Sequence, residues 1–412
     1  MDRKTVLITV CLGCLSALGP LGTDMYLGAL PQIAKELAAN GGEAQFSVMG
    51  FFIGLSLGQL FYGPISDKTG RKPMIYLALI IFSLSSLGCV FSTNATQFLI
   101  WRFVQGVGGS IGMVISAAII RDLYTGVMAA KLMSIVVLIF GLAPILAPLF
   151  GSFLLQVGGW KMIFSALATI GILSSVLVVF LLPETRIQEL RHVSKPSATL
   201  KQYVKLLHSH KFIPFASTLA LVQCGFFAYM AGSPFVLIEI YGLSPMMYSI
   251  VFSLNAVGLA IGSLASAKFI ARFGAHTTVK VATLFFALTA CLLTILQLSN
   301  LMGLGILCSL LFLLVTALGC IMPTCNLLTM ESYGAISGTV AALMGGLGFG
   351  GGGIASALVG YFERAGALPM LLIITVSGVL ATIIANFSFP KTICRNSKEN
   401  ISIPCQPTYQ KK

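Results

Sequence analysis

Gly63-Pro64-Ile65-Ser66-Asp67-Lys68-Thr69-Gly70-Arg71-Lys72 is a short polar stretch between two long apolar ones. Its two glycines allow a tight turn. Arg71 and Lys72 anchor such a turn to the cytoplasmic face of a membrane, where basic residues collect. Asp67 is a lone acid among cations and can dock on the positive N-terminal end of a neighbouring helix. The chain is apolar on both sides, over 46–66 and 74–93. Each run has the roughly 20 residues a helix needs to cross the hydrocarbon core.

The pattern repeats along the whole chain. Apolar segments fall at about 6–34, 46–66, 74–93, 97–120, 130–157, 161–182, 212–238, 246–272, 278–298, 301–329, 337–361 and 367–389, twelve in all. As helices they satisfy every backbone polar group internally, which lipid requires. Only 9% of residues are charged, 57% are hydrophobic, and the mean hydropathy is +0.96. A soluble domain carries about 25% charged residues. The expected class is an all-α polytopic membrane protein. Pro20, Pro144, Pro148, Pro234 and Pro323 lie inside segments and predict kinks. Arg3-Lys4 and the apolar run after it imitate a secretory signal, with Leu12-Gly13-Cys14 as a partial lipoprotein-type cleavage site. The run continues to about Ala34, so it is read as an uncleaved first helix.

The net charge of +13 sits in the breaks between apolar runs, not on one face of a folded domain, which argues against nucleic acid. With both termini inside, twenty-one of the 25 Lys and Arg residues are cytoplasmic. Lys35, Lys161 and Arg364 fall outside, and Arg102 lies within a helix. That bias predicts cytoplasmic termini in a cell inner (plasma) membrane. The longest polar connection, 183–211, separates six-helix halves at 1–182 and 212–390, and 391–412 is a cytoplasmic tail. No connection can hold a soluble catalytic domain, so an enzyme is not expected. Eight of ten cysteines sit in apolar runs and the four histidines in polar connections. Cys11-x-x-Cys14 finds no second cluster, so neither metal nor cofactor is expected. A monomer in the lipid bilayer is the expected assembly.

Two charges lie deep. Asp24 is about 27 Å along the first helix from Val6, and Arg102 about 7–8 Å below the outer surface in the fourth. Both fall in the outer third. A charge there costs at least about 2.5 kcal/mol and is by default functional and partnered. The expectation is an Asp24–Arg102 pair, with Asp24 carrying a proton. Tyr26, Gln105, Gln223, Phe226, Phe227, Tyr229, Asn255 and Asn326 are aromatic or polar groups on the expected cavity helices. Such walls suit amphipathic ligands of moderate size.

The opening stretch, through Gly63, Asp67, Gly70, Arg71 and Lys72, resembles the major facilitator signature loop G-x-x-x-D-x-x-G-R-K. Arg102-Phe103-Val104-Gln105-Gly106 resembles that superfamily's R-x-x-Q-G motif. Gly141-Leu142-Ala143-Pro144-Ile145-Leu146-Ala147-Pro148-Leu149-Phe150-Gly151 resembles the antiporter motif of drug exporters, with Ala147 and Ser152 where glycines are usual. Thr23-Asp24-Met25-Tyr26-Leu27, Gly58 to Asp67 and Ala143 to Pro148 look like the Bcr/CflA drug-resistance family of twelve-helix drug:proton antiporters. Gly28 departs from a usual proline, and Ser16 stands where some broad multidrug relatives have a second acid. The resemblance implies the major facilitator fold, export of small drugs, and a proton gradient as energy source. It also implies that the second helix meets the eleventh, and the fifth the eighth, across the two halves.

Glycines at those positions (Gly50, Gly54, Gly58; Gly258, Gly262; Gly345 to Gly353) predict smooth contacts between rocking halves. Gly346 to Gly351 matches the dinucleotide G-x-G-x-x-G but follows no strand, so no nucleotide is expected. A nutrient or metabolite importer on the same scaffold is the alternative reading. A transport-inactive membrane sensor is another.

Overall fold

A computed structural model describes residues 3–186, 188–189 and 196–388. The expected tail 391–412 lies outside the described residues, as do Arg191, His192 and Lys195 of the connection. Among the described residues all regular structure is helical: α1 (Arg3–Asp24), α2 (Leu30–Glu36), α3 (Gly41–Thr69), α4 (Arg71–Val90), α5 (Ala95–Gly109), α6 (Ile111–Leu123), α7 (Gly126–Leu181), α8 (Pro196–Leu207), α9 (Ile213–Pro234), α10 (Pro245–Phe273), α11 (Ala275–Leu298), α12 (Leu304–Ser332), α13 (Ser337–Tyr361) and α14 (Leu368–Ser388). Helix starts use ordinary capping chemistry. Asn40 and Glu43 form a reciprocal capping box, with Asn40 Oδ1 accepting from Glu43 N at 2.8 Å. Asn94 Oδ1 caps α5 by accepting from Gln97 N at 2.9 Å, and Ser244 followed by Pro245 starts α10.

Eleven helical runs are long and apolar enough to cross a bilayer. One of them, α7, holds 56 residues, about 84 Å at 1.5 Å per residue against a core of about 30 Å. It contains two crossings that meet at Gly158 and Gly159, where Gly159 has φ +71°. Glycine holds that conformation without strain. The twelve expected segments are thus all present. Large apolar side chains such as Leu84, Phe180 and Leu264 are exposed along them, and lipid is the solvent that fits such a surface.

The first segment is not continuous as expected. Its helix ends at Asp24, makes a short 3₁₀ turn at Leu27–Ala29 and resumes at Leu30. The end of α1 leaves carbonyls without a helical donor, and Arg102 takes that of Gly22. The fourth segment is likewise interrupted at Ser110, whose hydroxyl donates to the Val107 carbonyl.

Between the halves, α3 packs along α13 and the first limb of α7 along α10, the pairing the resemblance implies. The glycines act differently from expectation. A Cβ at Gly54 would sit 2.2 Å from the Phe103 carbonyl oxygen, and one at Gly262 would sit 1.9 Å from that of Thr316. These glycines therefore seat α3 on α5 and α10 on α12, inside each half. Of the glycines singled out in the sequence, only those of α13 turn to the other half. Gly345, Gly346, Gly350 and Gly353 face Gln59, Leu60, Ser56 and Ile53 of α3. Ser56 Oγ donates to the Gly346 carbonyl at 2.7 Å, and Ser253 Oγ of α10 to that of Ile145 in α7 at 2.7 Å. The halves touch at both ends of the molecule. At the basic end, Arg121 Nη1 donates to Ser337 Oγ at 3.4 Å. At the opposite end, the backbones of Gly42 and Gly360 meet closely.

Candidate transport site

Arg102 and Gln105 stand three residues apart on α5, so they share one helix face. That face is buried against α1 and α3. The guanidinium lies over the rings of Tyr26 (4.0 Å), Phe51 (4.2 Å) and Phe164 (5.5 Å). Its Nη1 donates to the Gly22 carbonyl at 3.0 Å and to Gln105 Oε1. Gln105 Nε2 in turn donates to Ser86 Oγ at 2.7 Å. Nε and Nη2 of Arg102 are buried with no hydrogen-bond partner. The ion pairs include Arg71–Asp67, Arg71–Asp122 and Arg186–Asp67, and among the described residues none joins Arg102 to Asp24. The expected pair is not formed, because three aromatic faces and a helix-end carbonyl hold the cation instead. Tyr26 and Gln105 belong to this arginine cage and do not line the cavity; Tyr26 is fully buried, with its hydroxyl 3.2 Å from Ser47 Oγ.

Asp24 faces the other way. It is buried, forms no ion pair or side-chain hydrogen bond among the described residues, and lines a central cavity of about 130 Å³ between the halves. Of the expected cavity residues, Gln223, Phe226, Phe227, Tyr229 and Asn255 line it. Asn326 does not; Met322, one turn away on α12, takes that place. Asn255 Nδ2 donates to the Tyr229 hydroxyl at 2.7 Å, and the Tyr229 and Phe252 rings stack at 5.8 Å. Gln223 Oε1 is buried without a partner. Phe52 of α3, Phe227 of α9 and Phe349 of α13 form an aromatic cluster with centroids 4.3 to 6.0 Å apart. It spans the junction between the halves. Thr23, Phe52, Phe252 and Phe349 escape the sequence reading, since a helical Phe in a membrane chain looks the same facing lipid or cavity.

The antiporter-motif residues sit where α7 approaches α1 and α10. Pro144 lines the cavity, and Pro148 is buried. A Cβ at Gly151 would lie 1.8 Å from the Met25 carbonyl oxygen, so only glycine fits beside the α1 break. Gly141 has nothing within 4 Å. Ser16, in the place of a second acid, has its hydroxyl 3.0 Å from the Gly112 carbonyl oxygen and 2.9 Å from Ser116 Oγ and stitches α1 to α6.

The signature stretch is a charge network. Gly70 makes the turn with φ +106°, while Gly63 sits inside α3 and takes no part in it. Arg71 is buried, not anchored at the surface as expected: it binds Asp67 (2.7 Å), Asp122 (3.2 Å) and Ser66 Oγ (2.7 Å). Glu184 accepts from the backbone N–H groups of Arg71 (3.0 Å) and Lys72 (3.1 Å), a carboxylate on the N-terminus of α4. Asp67 is therefore not a lone acid. It shares a polar cavity of about 230 Å³ with Gly338 and Thr339 at the start of α13, but its ion pairs are with Arg71 and, at 3.9 Å, Arg186. The groups that bond the α13 end are Arg121, at Ser337, and Gln202, at Thr339.

A buried acid in a cavity between two helical halves is the layout of a carrier, and the comparison with known proteins identifies which kind. The sequence profile of the Major Facilitator Superfamily matches residues 12–357. The chain belongs to this superfamily. It is a multi-pass membrane transporter, not an enzyme, and superfamily members bind small-molecule substrates. An uncharacterized MFS-type transporter of Bacillus subtilis, YdgK, is 36% identical over 386 residues, covering 92% of this chain and 95% of its own. A bicyclomycin resistance protein homolog of Haemophilus influenzae is 30% identical over 90% of this chain and 93% of its own. The multidrug resistance protein MdtL of Salmonella paratyphi A is 33% identical over 60% and 62%. These relatives bear out the resemblance to the Bcr/CflA drug-resistance branch. Among solved structures, a D-xylose-proton symporter superposes with TM-score 0.73 at 19% identity, over 93% of this chain and 98% of that one. At that identity the likeness is one of fold.

Proposed function

We propose that the chain is a proton-coupled exporter of small amphipathic compounds, working by alternating access of the 1–182 and 212–390 halves. The observation that carries the reading is Asp24: an unpartnered acid opening on an aromatic cavity at the junction of the halves. A charge kept inside the bilayer is a functional feature by default. The relatives named for bicyclomycin and multidrug resistance support export, and the aromatic wall suits amphipathic ligands. A drug-sized pocket has about 300–1,000 Å³, so the cavity of about 130 Å³ must widen when one end opens. Contacts at both ends, Arg121–Ser337 and Gly42–Gly360, are those that would break in turn.

In this scheme the basic end, with both termini and the 183–211 connection, faces the cytoplasm, as the distribution of Lys and Arg supports. Asp24 takes a proton when the cavity opens outward and releases it when the cavity opens inward. A substrate donor and the proton would then compete for one carboxylate, with Gln223 Oε1 as a second acceptor. One proton moving down 100 mV supplies about 2.3 kcal/mol, which supports roughly fiftyfold accumulation. The protein is expected to act as a monomer. The test is a panel of drugs and metabolites assayed for efflux and uptake in cells expressing the chain. Uncoupler-sensitive efflux of at least one amphipathic drug is expected; uptake of a nutrient with no drug efflux would overturn the reading.

A further inference from the structure

The helix α8, Pro196–Leu207, lies in the connection between the halves and presents three distinct faces. Tyr203 and Leu206 are buried against the protein. Leu200, Val204 and Leu207, at i, i+4 and i+7, form an apolar stripe that is 59, 52 and 40% exposed. Lys201 and Lys205, one position on, make a basic stripe beside it. Neither lysine takes part in an ion pair among the described residues. A helix needs its apolar stripe covered and its lysines near water or anions. An apolar stripe flanked by lysines, next to a membrane-spanning bundle, fits the boundary between acyl chains and anionic headgroups.

The buried face is tied to both halves. The Tyr203 hydroxyl donates to the Leu60 carbonyl of α3 at 3.1 Å. Thr339 Oγ1 of α13 donates to Gln202 Oε1 at 3.3 Å. Burial pushes the Tyr203 phenol up to about 12, so it stays a hydrogen-bond donor. Whatever holds α8 in place therefore also holds the basic ends of α3 and α13 together.

We propose that α8 is a docking helix for anionic phospholipid of the cytoplasmic leaflet, with Leu200, Val204 and Leu207 in the acyl region and Lys201 and Lys205 on the headgroup phosphates. The assignment rests on the topology proposed above. Docked, the helix clamps α3 to α13 and favours the state closed at that end. Each lysine near an anionic surface favours the docked helix about fivefold.

The test uses the full chain in nanodiscs of phosphatidylcholine, alone or with about 30% phosphatidylglycerol, and follows backbone hydrogen exchange over 198–207. Exchange is expected to slow at least fivefold with phosphatidylglycerol. The variant Lys201→Gln/Lys205→Gln should lose that difference, and Leu200→Ser/Val204→Ser should lose protection in both membranes. Equal exchange in the two membranes for the unaltered chain overturns the proposal and leaves the transport reading untouched, since no transport is measured. The topology is read separately: labelling of Ser197→Cys, at an exposed position near the start of α8, from outside intact cells would overturn the assignment to the cytoplasmic leaflet even if the exchange result holds.

Discussion

Replacing Arg102 distinguishes a cage from an ion pair. In Arg102→Ala the rings of Tyr26, Phe51 and Phe164, at 4.0, 4.2 and 5.5 Å, lose their cation. Desolvated contacts of this kind contribute together about 2–4 kcal/mol. The charged hydrogen bond to the Gly22 carbonyl adds about 1.5–3 kcal/mol. Against this, the unpartnered Nε and Nη2 already cost about 1–3 kcal/mol. The net expectation is a loss of about 3 kcal/mol, with a further term for the void left behind. The assay is a double-mutant cycle of Arg102→Ala and Asp24→Asn, with unfolding of the purified protein followed in mild detergent. If the cage alone holds Arg102, the two changes add to within about 0.5 kcal/mol. A coupling above about 1 kcal/mol, or an Arg102→Ala protein as stable as the original, would refute the reasoning.

Gly151→Ala places a Cβ 1.8 Å from the Met25 carbonyl oxygen and should destabilise by about 1–3 kcal/mol or more. Gly141→Ala, with nothing within 4 Å, should be neutral or stabilising by up to about 1 kcal/mol; a thermal shift assay that ranks the two the other way contradicts the packing. At the end opposite the basic one, burial raises the Glu363 carboxyl, Glu239 and Glu43 add to the rise, and the Gly41 N–H and Arg364 oppose it; Lys35 lines the same cavity. A raised acid favours the closed end when protonated, so closure should be strongest in acid and weaken as pH rises through the raised value. Glu363→Gln should abolish that pH dependence in label distances between the Gly41 end of α3 and the Tyr361 end of α13. Asp67→Asn leaves Arg71 tied to Asp122 at 3.2 Å, so it should slow turnover with little loss of folded protein; an unfolded variant would contradict the network described.

The membrane class, the crossings and the pairing of α3 with α13 were legible because apolar length and charged breaks are written directly in the chain. Even α7, one continuous helical run, parts at the Gly158-Gly159 pair between the expected segments. Arg102 and Gln105 were legible as a motif, but not their partners. The Gly22 carbonyl becomes available only because α1 stops at Asp24, a tertiary event with no local signal beyond Pro20. Gly54 and Gly262 mark close packing, yet their spacing does not say which neighbour approaches. The signature stretch draws its remaining partners, Asp122, Glu184 and Arg186, from far along the sequence, where no local pattern points to them. Aromatic cavity residues such as Phe52 and Phe349 carry no mark that distinguishes them from lipid-facing Phe180.

The most direct measurement is drug transport by the Asp24→Asn protein in proteoliposomes under an imposed proton gradient, with folding checked by size-exclusion profile. The account predicts that the original chain concentrates drug against its gradient and loses this with uncoupler. The neutral variant should bind or exchange drug without concentrating it. An Asp24→Asn protein that still builds an uncoupler-sensitive drug gradient would contradict the account.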